Sequence, residues 1–366
     1  MKKYLLTLPL VAILASCGTT KVETNPGAEK VRQKLPEGIV EVDKDDMRYN
    51  KLYDEAYIGL FNFNYKSFQF EVNLDASVAI KVDGVTQKVA VKGGITFGSK
   101  YDIASDCYYT ALSVENFTVK VDTPEIKLDL ENVNIDAYMV TNQKESNIYL
   151  DLSDPKIKST VVNVLGINEQ MWTYLFGENS KGHLNFTKFL TEIDQSHAEE
   201  EGYEPFDELL KRSPIEYLLT FLETNVSPYA LYLPYFTESL QKMGLQIGVP
   251  EGEESPRQIA LLLNTTFDKI NSLIPGDVLK PLGKSNVGMM VTVGKDVGVD
   301  EFVLEALSAG VYIDKKIEGV GVKLDASVNA EACYEDEVML VLPANFDDYN
   351  ADYSTLAAFI MAYIDD

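Results

Sequence analysis

Between Phe68 and Val82 every even-numbered residue is apolar (Phe68, Phe70, Val72, Leu74, Ala76, Val78, Ile80, Val82), while the odd positions are mainly Gln, Glu, Asn, Asp, Ser and Lys. A period of two sends successive side chains to opposite faces, so the segment reads as a strand with one buried face and one wet face. Its length constrains the fold further. Extended from Ser67 to Val82 it spans roughly 50 Å, against about 17–20 Å for an ordinary strand. A strand this long twists and coils with its neighbours, so the spacing predicts a strongly curved antiparallel sheet with a concave apolar face.

Its partners follow in order. Asp83-Gly84 is a favoured two-residue hairpin turn, Val89, Val91, Ile95 and Phe97 continue the alternation on the return strand, and Gly93-Gly94 marks a bulge or bend. Further strands read at Cys107–Val121, Glu125–Val140 and Asn147–Leu152, which makes 57–154 a strand block. From 155 to 283 the spacing turns helical, with Phe206, Leu209, Leu210, then Ile215, Leu218, Leu219, Leu222, then Ile259, Leu262, Leu263, Phe267, Ile270. Ser213-Pro214 and Ser255-Pro256 look like N-caps followed by a first-turn proline. Strands return over 286–343, where Val320, Val322, Leu324, Ala326, Val328, Ala330 and Ala332 alternate without a break. The pentapeptide Leu74-Asp75-Ala76-Ser77-Val78 recurs here as Leu324-Asp325-Ala326-Ser327-Val328. Tyr353, Leu356, Ala357, Ile360 and Ile364 predict a C-terminal helix over 351–364. The expected fold class is therefore α+β: a long, strongly curved, half-barrel-like antiparallel sheet, with a helical insertion packing on or covering it.

The start of the chain says where such a body would work. Lys2 and Lys3 precede an apolar run from Leu5 to Leu14, too short for a bilayer-spanning helix of about 20 residues but typical of a signal peptide. Leu14-Ala15-Ser16-Cys17 resembles the lipobox of bacterial lipoproteins. That resemblance implies cleavage after residue 16, acylation of Cys17 and a membrane contact made by two or three fatty acyl chains, enough for stable anchoring. Residues 17–50, rich in Lys, Glu, Asp, Thr and Pro, read as a flexible tether, and 51–366 as the folded body. The expected location is the cell envelope, outside the cytoplasm. Gly18 supplies no Asp retention signal after the Cys, so outer-membrane sorting is open in an organism that has one.

Composition narrows the partners. Removal of residues 1–16 with Lys2 and Lys3 takes the net charge from −25 to −27, which opposes nucleic acid, whose binders release counterions with clustered Lys and Arg. Cys107 and Cys333 are an even pair in an exported chain; they either bridge or stay thiols. No G-x-S-x-G elbow, P-loop, H-E-x-x-H or G-x-G-x-x-G occurs, and His183 and His197 lie in no catalytic context, so the chain is expected to be noncatalytic and free of cofactor and metal. The oxygens of Asp43, Asp45 and Asp46, or of Asp347, Asp348, Asn350 and Asp352, do not match an EF-hand loop. Glu192–Glu208 carries eight acids without a Lys or Arg and reads as a solvated loop. Tyr203, Phe206, Tyr217, Phe221, Tyr229, Tyr232, Tyr235 and Phe236 crowd the helical region, where they fill a core or line an apolar pocket.

Long antiparallel strands, helices able to cover their concave face and a lipid-anchored N-terminus are together similar to the half-barrel carriers of the Lol lipoprotein-transport system and the mycobacterial lipid-carrier lipoproteins. The resemblance is architectural, covers roughly Tyr57 to Asp366 and carries over no ligand residue. It implies a noncatalytic envelope lipoprotein holding a lipid or other apolar ligand in the concavity. The alternative is a surface or assembly lipoprotein whose helices pack the sheet solid and which works by protein contact; its partner is not written in the sequence. Cys17→Ser is expected to abolish metabolic incorporation of labelled palmitate and to move the protein from the detergent phase to the aqueous phase on phase partitioning.

Overall fold

The structure is a computed structural model that describes residues 31–82, 84–124, 127–165, 168–197, 205–206, 213–228, 237–272, 279–295, 301–317 and 320–357. The signal segment 1–16, Cys17, Gly18 and Asp83 lie outside the described residues. So do Tyr203, Tyr229, Tyr232, Tyr235, Phe236, Leu209, Leu210, all six acids after Asp194 in the Glu192–Glu208 segment, and the predicted C-terminal helix from 358 onward.

In chain order the first half contains β1 (Ile39–Glu41), α1 (Tyr49–Leu60), β2 (Phe68–Val82), β3 (Val85–Asp102), β4 (Cys107–Asp122), β5 (Lys127–Thr141), β6 (Ser146–Asp151), α2 (Pro155–Leu165), α3 (Glu169–Phe176), β7 (Lys181–Asn185) and α4 (Phe186–His197). The second contains α5 (Pro214–Asn225), α6 (Thr237–Met243), β8 (Gln246–Pro250), β9 (Gln258–Thr266), α7 (Phe267–Asn271), β10 (Asn286–Gly294), β11 (Val303–Ile317), β12 (Val320–Tyr334) and β13 (Ala351–Asp352). The described strands form one open sheet in the order β1-β8-β9-β10-β11-β12-β2-β3-β4-β5-β6-β7-β13. Every pairing is antiparallel except β13 with β7. Two meanders, β8–β12 and β2–β7, are thus joined at one seam, β12 against β2, which is continuous from Gly321↔Lys81 to Tyr334↔Phe68. The repeated pentapeptide pairs with itself there: Ala76 lies opposite Ala326, Asp75 opposite Ser327 and Ser77 opposite Asp325.

The long strands sit where the alternation predicts. Gly84, at φ +83°, takes the β2–β3 turn in a conformation that costs glycine nothing. The expected bend at Gly93 is a bulge, with the register shifting between Lys92 and Gly94 and the Phe117 ring occupying the place of a Cβ. Asn116 and Asn132, both at positive φ, mark further bulges; Asn134 Oδ1 accepts from Asn116 N at 2.9 Å and Thr118 Oγ1 from Asn132 N at 3.1 Å.

Four expectations are corrected. The tether does not extend to residue 50: Val31, Val42 and Tyr49 are buried, β1 pairs with β8, and Tyr49, Leu52, Tyr53 and Ala56 of α1 enter the core at helical spacing. The body therefore begins no later than Val31. The strand block does not begin at 57, since α1 runs to Leu60. The insertion 155–283 is not purely helical, because β7, β8 and β9 join the sheet. Ile259, Leu262 and Leu263 are strand residues and Ser255-Pro256 caps no helix, because β9 is buried on both faces from Ile259 to Leu263 and lacks alternation. Its partner signal, Ser213-Pro214, does cap α5: Ser213 Oγ accepts from Ile215 N at 3.2 Å. The C-terminal segment begins with β13 rather than a helix at 351.

The helices gather on the apolar face of the sheet. Trp172 and Phe176 of α3, stacked at 4.2 Å, pack with Ile157 of α2 on Val133 of β5, and Trp172 Nε1 donates to Ser180 Oγ at 3.0 Å. Trp172→Ala is expected to cost about 3–5 kcal/mol, seen as a lower urea midpoint with an unchanged slope.

Candidate functional site

Residues directly opposite in an antiparallel ladder share a face. Val78 pairs with Val89 and Leu324, Ala76 with Val91 and Ala326, and Val72 with Ile95 and Ala330. Leu307 and Ala309 of β11 continue the rows opposite Ala330 and Val328. With Val114 and Val119 of β4 opposite Ile95 and Val91, five strands present one apolar field, about 26 Å along β2 from Val72 to Ile80 and about 19 Å across from β11 to β4. On the reverse face Glu71, Asn73, Asp75 and Ser77 meet water, and Asp75 pairs with Lys92 at 3.1 Å.

The described helices border this field without filling it. α1 packs over β8–β10, α7 and Leu279 over Val287, Val311 and Ile313, and α2 with α3 over β5. α5 contributes Ile215 and Leu219 to a cluster with Val303, Tyr334, Phe68, Phe97, Tyr108 and Met139. Those partners come from six adjacent strands that would span about 24 Å if flat, so gathering them round one short helix requires the sheet to curl toward its apolar face. Among the described residues, none of the four core clusters includes Val72, Leu74, Ala76, Val78, Val91, Ala326 or Val328. These side chains are half-buried, and Ile80 and Val89 are 37% and 40% exposed.

Beyond the α5 cluster, at the end of the sheet away from the β2–β3 turn, lies a polar cavity of about 290 Å³ lined by Tyr101, Asp106, Tyr108, Glu145 and Glu216 among others. Tyr108 OH donates to Glu216 Oε1 at 3.1 Å, and burial, then the Glu216 charge, push its phenol well above the ordinary tyrosine range. Tyr101 OH donates to Asp106 Oδ1 at 2.5 Å, and Gln143 also donates to Asp106. These bonds, Tyr101 first, hold the Asp106 carboxyl below the usual carboxylate range. The Lys66 ammonium lies 5.2 Å from the Tyr101 ring centroid. Sequence reasoning missed this cavity, because its walls come from two hairpin loops and the starts of α4 and α5 with no shared motif.

The residues singled out in the sequence are dispersed. His183 is in β7, where its Nδ1 lies 2.8 Å from Tyr349 O and its ring stacks on Tyr149. His197 ends α4. Glu192 and Asp194 belong to α4 instead of a loop, and Asp194 accepts from Phe206 N at 3.1 Å. Cys107 and Cys333 are not joined, which corrects the bridge considered above. Strands β2 and β3 stand between theirs, so the two lie about 14 Å apart sideways, and Cys333 stands level with Ala111 instead of Cys107. Among the described residues no group of three His, Cys, Asp or Glu is arranged to hold a metal ion, and no helix is long and apolar enough to cross a membrane.

No family model and no curated protein matches the chain. Among solved structures, one of lipovitellin, concerned with lipid–protein interactions, aligns over 78% of this chain at 8% identity and a TM-score of 0.26. This chain spans only 27% of that lipovitellin chain. A DUF1329 family protein from Desulfovibrio piger aligns over 81% of this chain and 96% of its own, at 9% identity and a TM-score of 0.17. A β-barrel-like protein of the domain of unknown function DUF1849, from Brucella abortus, aligns over 74% and 99%, at 8% and 0.13. Likenesses this distant carry no argument about ligand or activity, which rest on the residues of this chain.

Removing the Glu216 charge makes the Tyr108 phenolate less unfavourable. In Glu216→Gln the Tyr108 pKa is therefore expected to fall yet stay above the ordinary value, since burial, its largest cause, remains. The difference between spectrophotometric titrations of E216Q and the double variant E216Q/Y108F isolates that phenol.

Proposed function

We propose that this protein is a noncatalytic cell-envelope lipoprotein, anchored by acyl chains on Cys17 outside the cytoplasm, that holds a lipid or another apolar ligand against the central field of its sheet. The observation that carries the reading is the half-buried field itself: Val72, Leu74, Ala76, Val78, Val91, Ala326 and Val328 share one face and belong to none of the surrounding core clusters of described residues. A contiguous apolar surface of this size marks an interaction site. Each methylene laid on it contributes about 0.8 kcal/mol, so a long acyl chain is the ligand that such a field suits. Curvature toward the field and helices along its border would keep water from the ligand.

The test uses full-length Cys17→Ser protein, in which no covalent acyl chain confuses the readout. Mass spectrometry of an organic extract is expected to find co-purified lipid, and the delipidated protein is expected to take up a fluorescent fatty acid. Ala326→Glu, at the centre of the field, should reduce uptake at least tenfold with little change in the thermal midpoint. An empty protein that takes up no lipid would overturn the reading.

A further inference from the structure

We infer that the end of the sheet formed by the β2–β3 and β11–β12 turns is the surface that meets an anionic lipid bilayer. In a chain with 32 basic and 57 acidic residues, the two turns reverse the balance: 81–88 and 314–323 together hold five lysines and three acids. The register arranges four of those lysines in two neighbouring rows on the polar face. Lys316 and Lys81 both flank Gly321, and Lys323 and Lys88 both flank Ala79. Asp314 lies across the ladder from Lys323 and Asp122 from Lys88, yet among the described residues no carboxylate is within ion-pair distance of these four lysines. The third hairpin differs, with Lys120 bound to Asp129 and Glu131 and Lys127 to Asp122.

The other face of the β2–β3 turn is apolar and open. Ile80 and Val89 belong to the field described above, and Val85, at the turn itself, is 51% exposed. Apolar side chains with lysines behind them fit a bilayer surface: the former enter the interface, and the lysine stems reach along it to anionic headgroups. A nucleic acid offers phosphate but no apolar layer.

A third observation rests on the lipid-anchor reading of Cys17, whereas the first two do not. The first described residues track β11 toward the same end. Ser308 Oγ donates to Gln33 Oε1 at 2.9 Å, and Asn264 clamps the Gln33 backbone through N at 2.8 Å and O at 3.1 Å. Two residues earlier, Val31 lies on Gly310 and on Gly288, and at Gly288 any side chain would collide with it. Going back along the chain from Gln33 to Val31 therefore follows β11 from Ser308 to Gly310, toward the turn. From Gly310 to the turn is about 23 Å, and the fourteen residue steps from Val31 back to Cys17 reach up to about 49 Å. An anchor on Cys17 can thus lie beyond the lysine rim, and it would draw the open end of the apolar field to the membrane.

Sedimentation of full-length Cys17→Ser protein with vesicles tests the surface without the acyl anchor. Binding is expected to vesicles of phosphatidylglycerol and phosphatidylcholine, not to phosphatidylcholine alone, and to weaken with salt. The variant K81Q/K88Q/K316Q/K323Q should lower partitioning at least tenfold, while K51Q/K158Q/K188Q/K242Q, with the same charge change elsewhere, should leave it within twofold. Fatty-acid uptake by the turn variant should be unchanged, which separates this inference from the proposed ligand site. Absence of binding to anionic vesicles, or an equal loss in the control variant, would overturn it. Loss of fatty-acid uptake in the turn variant would also overturn it, by placing the lysines in the ligand site.

Discussion

The pairing of β12 with β2 is the interaction on which the rest of the structure depends. It brings together segments about 250 residues apart in the chain, an entropic cost that local hairpins do not bear. Each meander alone would end in a long unpaired strand edge, and the seam converts two such edges into the centre of one sheet. Its fourteen pairs run without a bulge, and the register sets Phe68 beside Tyr334 and Ala76 beside Ala326. A slip of one residue would turn every apolar side chain of β2 to the wet face. The field of apolar residues thus exists only because this register is kept.

The two faces of that sheet are completed in different ways. On the apolar face, helices close the borders with large side chains, as in the Trp172 and Phe176 stack and the buried α1 residues Tyr49 and Tyr53. Burial, with the Glu41 charge second, pushes the Tyr49 phenol up to about 12, while its hydroxyl donates to Leu245 O at 3.3 Å. On the polar face, irregular segments cross the strands. Residues 338–349 bring Leu340 onto Gly98 and set Phe346 and Tyr349 against Tyr138 and Tyr149. Lys181 binds Asp151 at 2.6 Å near this aromatic group; burial alone would raise the Asp151 carboxyl, but bonds from Lys181 and Ser153 outweigh it and hold it low. The N-terminal segment does for β9–β11 what the C-terminal segment does for β3–β7.

Most of the long strands were legible in the sequence, and most of the site was not. β2 and β12 announce themselves because each has one wet face, so polarity alternates along the chain. β9 was concealed because both of its faces are covered: Ile259 to Leu263 is a continuous apolar run whose spacing also fits a helix turn. α1 was concealed in a polar region, although Tyr49, Leu52, Tyr53 and Ala56 carry a helical period. Cys107 and Cys333 read as an even pair that could bridge, and the strand order, with β2 and β3 between them, keeps them apart. The polar cavity of Tyr101, Tyr108 and Glu216 had no signal at all, since its four contributing segments meet only when the sheet is assembled.

The sequence alone determined that this chain has long half-buried strands and that they must curve, and it shows at Leu14–Cys17 a resemblance to a lipobox, because periodicity and short motifs are local properties of the chain. The tertiary structure decided which strands are neighbours, in which register, and therefore which apolar residues stand side by side in a field that the described helices leave open. It also decided that the lysines of two distant turns, without an ion-pair partner among the described residues, share one end of the sheet. Those outcomes depend on contacts between residues hundreds of positions apart, where the free energy of pairing two complete meanders, and no pattern within either, selects the arrangement.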